Sequence, residues 1–252
     1  MYSNRQLTDK PVRPINSIGL FYDCYVDTGS FHQFLSDKGI PQERIVKLGS
    51  LRYTPQWVET YKKEVVLDNY IGRNTDSHCR VVVFLMHPRY NSEIEIVVDS
   101  IRRIVDLEHI EVVVKPHPRR MPDELLNELS FSGKVDIATQ VSSVSLVEWA
   151  DVAIAFGSSI AIQALLDDKV FLYPSFFDTN KLFATDAGAC WECPSPDSLV
   201  EAVCTIRDNP GYRPYSNVAV RNYLKDNVYA GMDGQNVLQA YPQFIDQLIS
   251  SR

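Results

Sequence analysis

From residue 80 onward the chain alternates two patterns of apolar residues. Short continuous runs rich in valine read as strands buried on both faces: RVVVFLM at 80–86, IEVVVK at 110–115, VDIAT at 135–139, DVAIAF at 151–156 and KVFLYP at 169–174. Between and after them, apolar residues recur at helical spacing. These stretches are SEIEIVVDSIRRIVDL (92–107), PDELLNELSF (122–131), SLVEWA (145–150), SSIAIQALLDD (158–168) and SPDSLVEAVCTIRD (195–208). Such alternation predicts parallel βαβ units in an α/β fold with a doubly wound parallel sheet. A last amphipathic stretch, 234–251, carries Pro242 and is expected to be interrupted there.

The first 67 residues are patterned less regularly. Residues 1–16 are a polar lead-in, and SIGLFYDCYV (17–26) reads as a strand with aromatic interleaving. A short helix is expected within 29–40, with Phe31, Phe34 and Leu35 on one face and Gly39 as its stop. ERIVKLGSLRY (43–53) reads as a strand ending at Gly49-Ser50. Thr54 and Pro55 then supply an N-cap and a first helical position for a helix reaching residue 66. The polar segment 68–79 has no apolar period and is the expected boundary. It separates a small truncated N-terminal α/β part, 1–67, from a Rossmann-like domain, 79–252.

Composition narrows the partners. The 252 residues are 45% apolar and 23% charged, with a formal net charge of -7, so no global attraction to nucleic acid or anionic membrane is expected. An anion site must then be a local basic pocket. No apolar run reaches the roughly 18 residues of a transmembrane helix, the N-terminus has no signal-peptide core, and the five irregularly spaced cysteines suit a reducing, cytoplasmic setting. CWEC (190–193) has CxxC spacing without a second pair nearby, so ordinary thiols are expected and no metal.

Candidate chemistry gathers at strand ends. In KPHPRR (115–120) two prolines stop a valine strand and leave Lys115, His117 and Arg119 in the following loop. That is where open α/β sheets bind ligands. His117 can hydrogen-bond a phosphoryl oxygen while Lys115 or Arg119 supplies charge. A second strand ends at Gly157, Ser158 and Ser159, where a turn opens a helix and free N–H groups stand beside two hydroxyls. Plain helix capping by these serines is the competing reading. A third strand end repeats the order His87, Pro88, Arg89. Glu148 precedes a strand and is either a ligand contact or a surface carboxylate.

A strand ending in K-P-H-P, then a helix, a weak strand, and a strand leading to G-S-S resembles the C-terminal, donor-binding half of GT-B-fold glycosyltransferases. The likeness is to bacterial capsule and surface-polysaccharide transferases, including sialyl-, Kdo- and glycerophosphate-transferring groups. It extends to GIPQERIVKLGSLRY (39–53) and to the closing elements of the chain. The resemblance implies that His117, Ser158 and Ser159 hold the phosphate of a CMP-, CDP- or UDP-linked donor. That donor is a substrate, and no separate cofactor is implied. It further implies an acceptor glycan as second substrate, polysaccharide synthesis as the setting, and a cytoplasmic enzyme that can lie peripherally at the inner membrane. Two departures qualify it. The segment 1–67 is too short for the family's N-terminal domain, so the expectation is a fragment, half of a two-chain enzyme in which a second chain supplies that domain, or a degenerate relative. The position where many such enzymes carry a ribose- or sugar-binding Glu is here Gln163. Asp23 and Asp27 are weak candidates for the acceptor's general base. A UDP-N-acetylglucosamine 2-epimerase-like enzyme and a non-catalytic nucleotide-sugar-binding module remain open.

Overall fold

A computed structural model describes residues 24–29, 32–37, 39–64, 66, 70–73, 77–87, 94–119, 121–155, 158–177 and 183–250. The chain forms two compact units, each described by itself. One runs from Val66 to Val220; the other joins the described residues before Val66 to those from Arg221 onward.

The 66–220 unit is built on β3 (Cys79–Phe84), β4 (Ile110–Lys115), β5 (Asp136–Ile137), β6 (Val152–Ala155), β7 (Val170–Pro174) and β8 (Trp191–Cys193). All pair in parallel, in the order β5-β4-β3-β6-β7-β8. The intervening helices are α3 (Ile94–Val105), α4 (Asp123–Leu129), α5 (Ser143–Trp149), α6 (Ile160–Leu166), α7 (Phe183–Asp186) and α8 (Pro196–Asp208). On one face α3 touches α4 and α8; on the other, α5 touches α6. The expected doubly wound α/β sheet is present. Its core is the valine runs themselves: Val81, Val82, Val113, Val114, Ala153 and Ile154 show no exposure. Burying each large aliphatic side chain stabilises the fold by about 1.5–3 kcal/mol. Chain order reverses between β3 and β6, because β3 leads outward to β4 and β5 and the chain then returns to β6. This is the topological switch point, where such sheets bind ligands at their carboxyl edge.

Local rules explain the helix ends. Ser195 and Ser198 form a reciprocal capping box across Pro196, the first residue of α8, and the Ser142 side chain accepts from Val144 N–H at 3.2 Å to start α5. Cys190-Trp191-Glu192-Cys193 is the edge strand β8 and its approach, with both cysteines buried. Burial pushes each thiol up to about 12, which keeps it protonated.

The other unit contains the parallel pair β1 (Tyr25–Asp27) and β2 (Ile45–Lys47), with α1 (His32–Asp37) and α2 (Pro55–Glu64). Thr54 Oγ1 accepts from Trp57 N–H, so the expected N-cap of α2 is realised. The helix α1 stops as expected at Gly39, whose φ is +80°. The strand expected over 43–53 is shorter. Gly49 turns the chain at φ +74°, and Leu51–Tyr53 is a 3-10 turn. The division between the units falls inside α9 (Asn217–Asn227). The last helix, α10 (Gly234–Ser250), packs on α2 and on the Leu51–Tyr53 turn. The expected parts, 1–67 and 79–252, follow chain order, whereas spatial grouping puts α10 with the described residues before Val66. Pro242 does not interrupt α10. It stands on the solvent side, where the carbonyl it leaves without a helical donor can meet water.

Candidate functional site at the switch point

Three neighbouring strands deliver the candidate groups to one rim. β4 and β6 flank β3, so the loops leaving their carboxyl ends emerge side by side. From first to last they span about 10 Å, two inter-strand spacings. His87 follows β3, Lys115 and His117 end β4, and Ser158 and Ser159 follow β6.

The imidazoles of His87 and His117 meet at this rim, with ring centroids 5.7 Å apart and planes at 83°. His117 is half-buried, and its Nδ1 accepts the backbone N–H of Arg119 at 3.1 Å. Burial, then His87, then Arg119 lower the pKa of His117 below the ordinary histidine value. Lys115 is tied down. Its Nζ donates to the carbonyls of Ala138 and Thr139, both at 2.9 Å, which fastens the end of β4 to the segment after β5. Burial lowers its pKa as well. Arg119 is exposed beside His117. Ser158 Oγ accepts from Ile160 N–H at a long 3.4 Å, and Ser159 occupies the N-cap of α6 with φ -65° and ψ -11°.

Other candidates fall elsewhere or into structural roles. Gln163 is buried in α6, and its Nε2 donates to Asp167 Oδ2 at 3.0 Å one turn on. Glu148 is exposed at the end of α5, and its carbonyl accepts from Lys169 Nζ at the start of β7. It therefore stands at the amino edge of the sheet, away from the rim. Asp27, in the other unit, is buried, and its Oδ1 accepts from Gly29 N–H at 3.0 Å in the turn after β1. Asp23, Arg89 and Gly157 lie outside the described residues.

A cavity of 810 Å³ opens at the opposite, amino edge of the same sheet, lined by Arg80, Glu111, Trp149, Asp151, Asp168 and Arg213 among others. Sequence reasoning did not single it out. Its walls are latched by their own charges. Arg80 grips Asp151 through Nε at 3.1 Å and Nη2 at 2.8 Å, and Arg213 holds Asp168 at 2.8 Å. None of the rim residues lines this cavity. We place the candidate site at the carboxyl edge, because the groups there converge at the switch point, whereas each of the cavity's two arginines is already held by a carboxylate. Among the described residues no cluster of three His, Cys, Asp or Glu side chains is arranged to hold a metal ion. No helix among them is long and apolar enough to cross a membrane.

This arrangement of strands, helices and rim is a GT-B-type, Rossmann-like fold. Solved structures with it include UDP-GlcNAc 2-epimerase from Methanocaldococcus jannaschii, in complex with UDP-GlcNAc and UDP, at 14% identity and TM-score 0.58 over 91% of this chain and 61% of that one. A glycosyltransferase from Rickettsia africae matches at 14% identity and TM-score 0.51, over 91% of this chain and 67% of that one. The wall teichoic acid polymerase TagF matches at 12% identity and TM-score 0.55, over all of this chain and 64% of that one. At such identities the likeness defines the fold. The chain spans about three fifths of the epimerase's length. No protein-family model and no curated protein sequence matches it.

Proposed function

We propose that the 66–220 unit binds the nucleotide diphosphate of an activated sugar and belongs to a sugar-transferring enzyme. One observation carries this reading: His87, His117 and Ser158 stand on adjacent strand ends at the switch point of the sheet. A glycosyl donor's leaving phosphate gains negative charge during transfer, and donors aimed at it lower the barrier. His117, Ser158 and Ser159 are the residues assigned to that phosphate, with Arg119 as the neighbouring cation. Structures of similar fold that are named as a glycosyltransferase and as an epimerase bound to UDP-GlcNAc and UDP support a nucleotide-sugar ligand. The likeness to a wall teichoic acid polymerase supports a surface polymer as the acceptor.

The test is calorimetric titration of the full chain with UDP, CDP, CMP and inorganic phosphate. A nucleoside diphosphate is expected to bind more tightly than phosphate, and His117→Ala is expected to weaken it with the melting temperature within a few degrees of the starting chain. Binding unaffected by His117→Ala would reject the assignment. In a second reading the unit binds the nucleotide sugar without turnover, in an assembly whose second chain supplies the remaining domain. Release of UDP or CMP only on adding an acceptor glycan selects transfer by this chain; binding without release selects the module.

A further inference from the structure

The sequence K-P-H-P-R is sparing with backbone donors. Pro116 and Pro118 carry no N–H, so the first donor after His117 is that of Arg119. Pro118 also biases His117 toward extended backbone, away from a helical turn. In the structure Arg119 N–H donates to His117 Nδ1 at 3.1 Å. A ring nitrogen that accepts an N–H presents its lone pair, so the neutral imidazole carries its proton on Nε2. We infer that this loop locks His117 as the Nε2–H tautomer, which makes it a neutral hydrogen-bond donor to a phosphoryl oxygen rather than a proton acceptor or a cation.

The surroundings act in the same direction. Protonating Nδ1 would break the bond from Arg119 and place a new positive charge beside the Arg119 guanidinium and the His87 ring, both of which disfavour it. A donor that stays neutral serves a leaving phosphate well: it stabilises developing negative charge without drawing a proton into competition. It also separates roles within the site, since a ring with its proton on Nε2 and Nδ1 occupied cannot serve as the acceptor's base. The donor role rests on the nucleotide reading above; the tautomer does not.

The experiment is long-range nitrogen–proton correlation NMR on the full chain labelled with 15N-histidine, with His117 identified by the signals lost in His117→Gln. Nε2 is expected to be pyrrole-type and Nδ1 pyridine-type from pH 8 down to the ordinary histidine value of about 6.5. An Nδ1–H tautomer, an even mixture, or an imidazolium at pH 7 overturns the lock. UDP titration then reads the role. The amide of His117→Gln reaches the place of Nε2, and affinity is expected to stay within about 3-fold, whereas the shorter His117→Asn loses about 10-fold or more, the value of one hydrogen bond to a charged group. Equal losses in both variants overturn the donor role. If the unsubstituted chain does not bind UDP, the nucleotide reading falls and the donor role with it, while the spectra still decide the tautomer.

Discussion

The imidazole of His87 stands at 83° to that of His117, with ring centroids 5.7 Å apart, so two titratable rings from adjacent strand ends share one rim. The charge of His87 therefore weighs on His117. Burial is the largest cause of the lowered pKa of His117, and the field of His87 is the next. His87→Gln removes that field and keeps a polar side chain. The His117 titration, followed by proton NMR, is expected to move upward toward the ordinary value of about 6.5 without reaching it. A downward move, or none, would mean that the rings do not sense each other.

Lys115 tests whether a basic residue at a strand end is a ligand or a fastener. Its ammonium spans the carbonyls of Ala138 and Thr139. Lys115→Met keeps the aliphatic stem and leaves those carbonyls without the charged donor. A loss of about 1–3 kcal/mol is expected in urea unfolding, with nucleotide affinity, measured below the transition, changed only a few-fold. A large affinity loss at unchanged stability would instead make Lys115 a phosphate contact.

Three buried thiols set an alkaline limit. Burial raises Cys79, Cys190 and Cys193 from 9.0 to about 12. These are acids whose ionised form the fold disfavours. As pH rises through 9 the unfolded chain loses protons that the folded chain keeps, so stability falls between pH 9 and 12. Each fully shifted thiol contributes at most about 1.4 kcal/mol per pH unit. The stability–pH curve of Cys79→Ala, Cys190→Ala and Cys193→Ala combined is expected to be flatter in that window. In the unsubstituted chain a thiol reagent at pH 8 is expected to label these positions only on unfolding. Rapid labelling of Cys190 and Cys193 under native conditions would reopen CWEC as a reactive pair.

The strands at the centre of the sheet were legible because they are buried on both faces, which leaves an unbroken valine signature and little room for another reading. Signals weakened toward the edges. Trp191–Cys193 has three residues, a single exposed Glu192, and a CxxC spacing that suggests chemistry before it suggests a strand. Helix α9 buries Val220, Tyr223 and Leu224 at helical spacing, but the stripe is short and diluted by polar residues, so the periodicity alone marks it only weakly. A proline reads as a helix breaker, but at the exposed position of Pro242 the lost hydrogen bond costs little, because water can serve the freed carbonyl. Glu148 illustrates a different shortfall. A helix in a βαβ unit returns to the amino edge, so a residue just before a strand was already far from the carboxyl rim. The tie between Lys115 and two carbonyls depends on where β5 ends in space, which no local pattern encodes. The order of strands, and with it the switch point, likewise emerges only from pairing.

The serines after β6 provide the sharpest separation of capping from ligand binding. Ser142 shows what a capping serine looks like in this chain, accepting from Val144 N–H at 3.2 Å with an extended backbone. Ser158 reaches Ile160 N–H only at 3.4 Å, and Ser159 sits in helical backbone geometry, which does not suit an N-cap. Replacing Ser142 by Ala should therefore cost about 1 kcal/mol of stability and leave nucleotide binding unchanged. The double change Ser158→Ala with Ser159→Ala should do the reverse. Two hydroxyl donors to a charged phosphate are lost, for an expected weakening of UDP binding of at least about 10-fold, larger than any change in the urea midpoint explains. If the double variant unfolds early and binds normally below its transition, these serines belong to the helix, and the phosphate must be held by the histidine side of the rim alone.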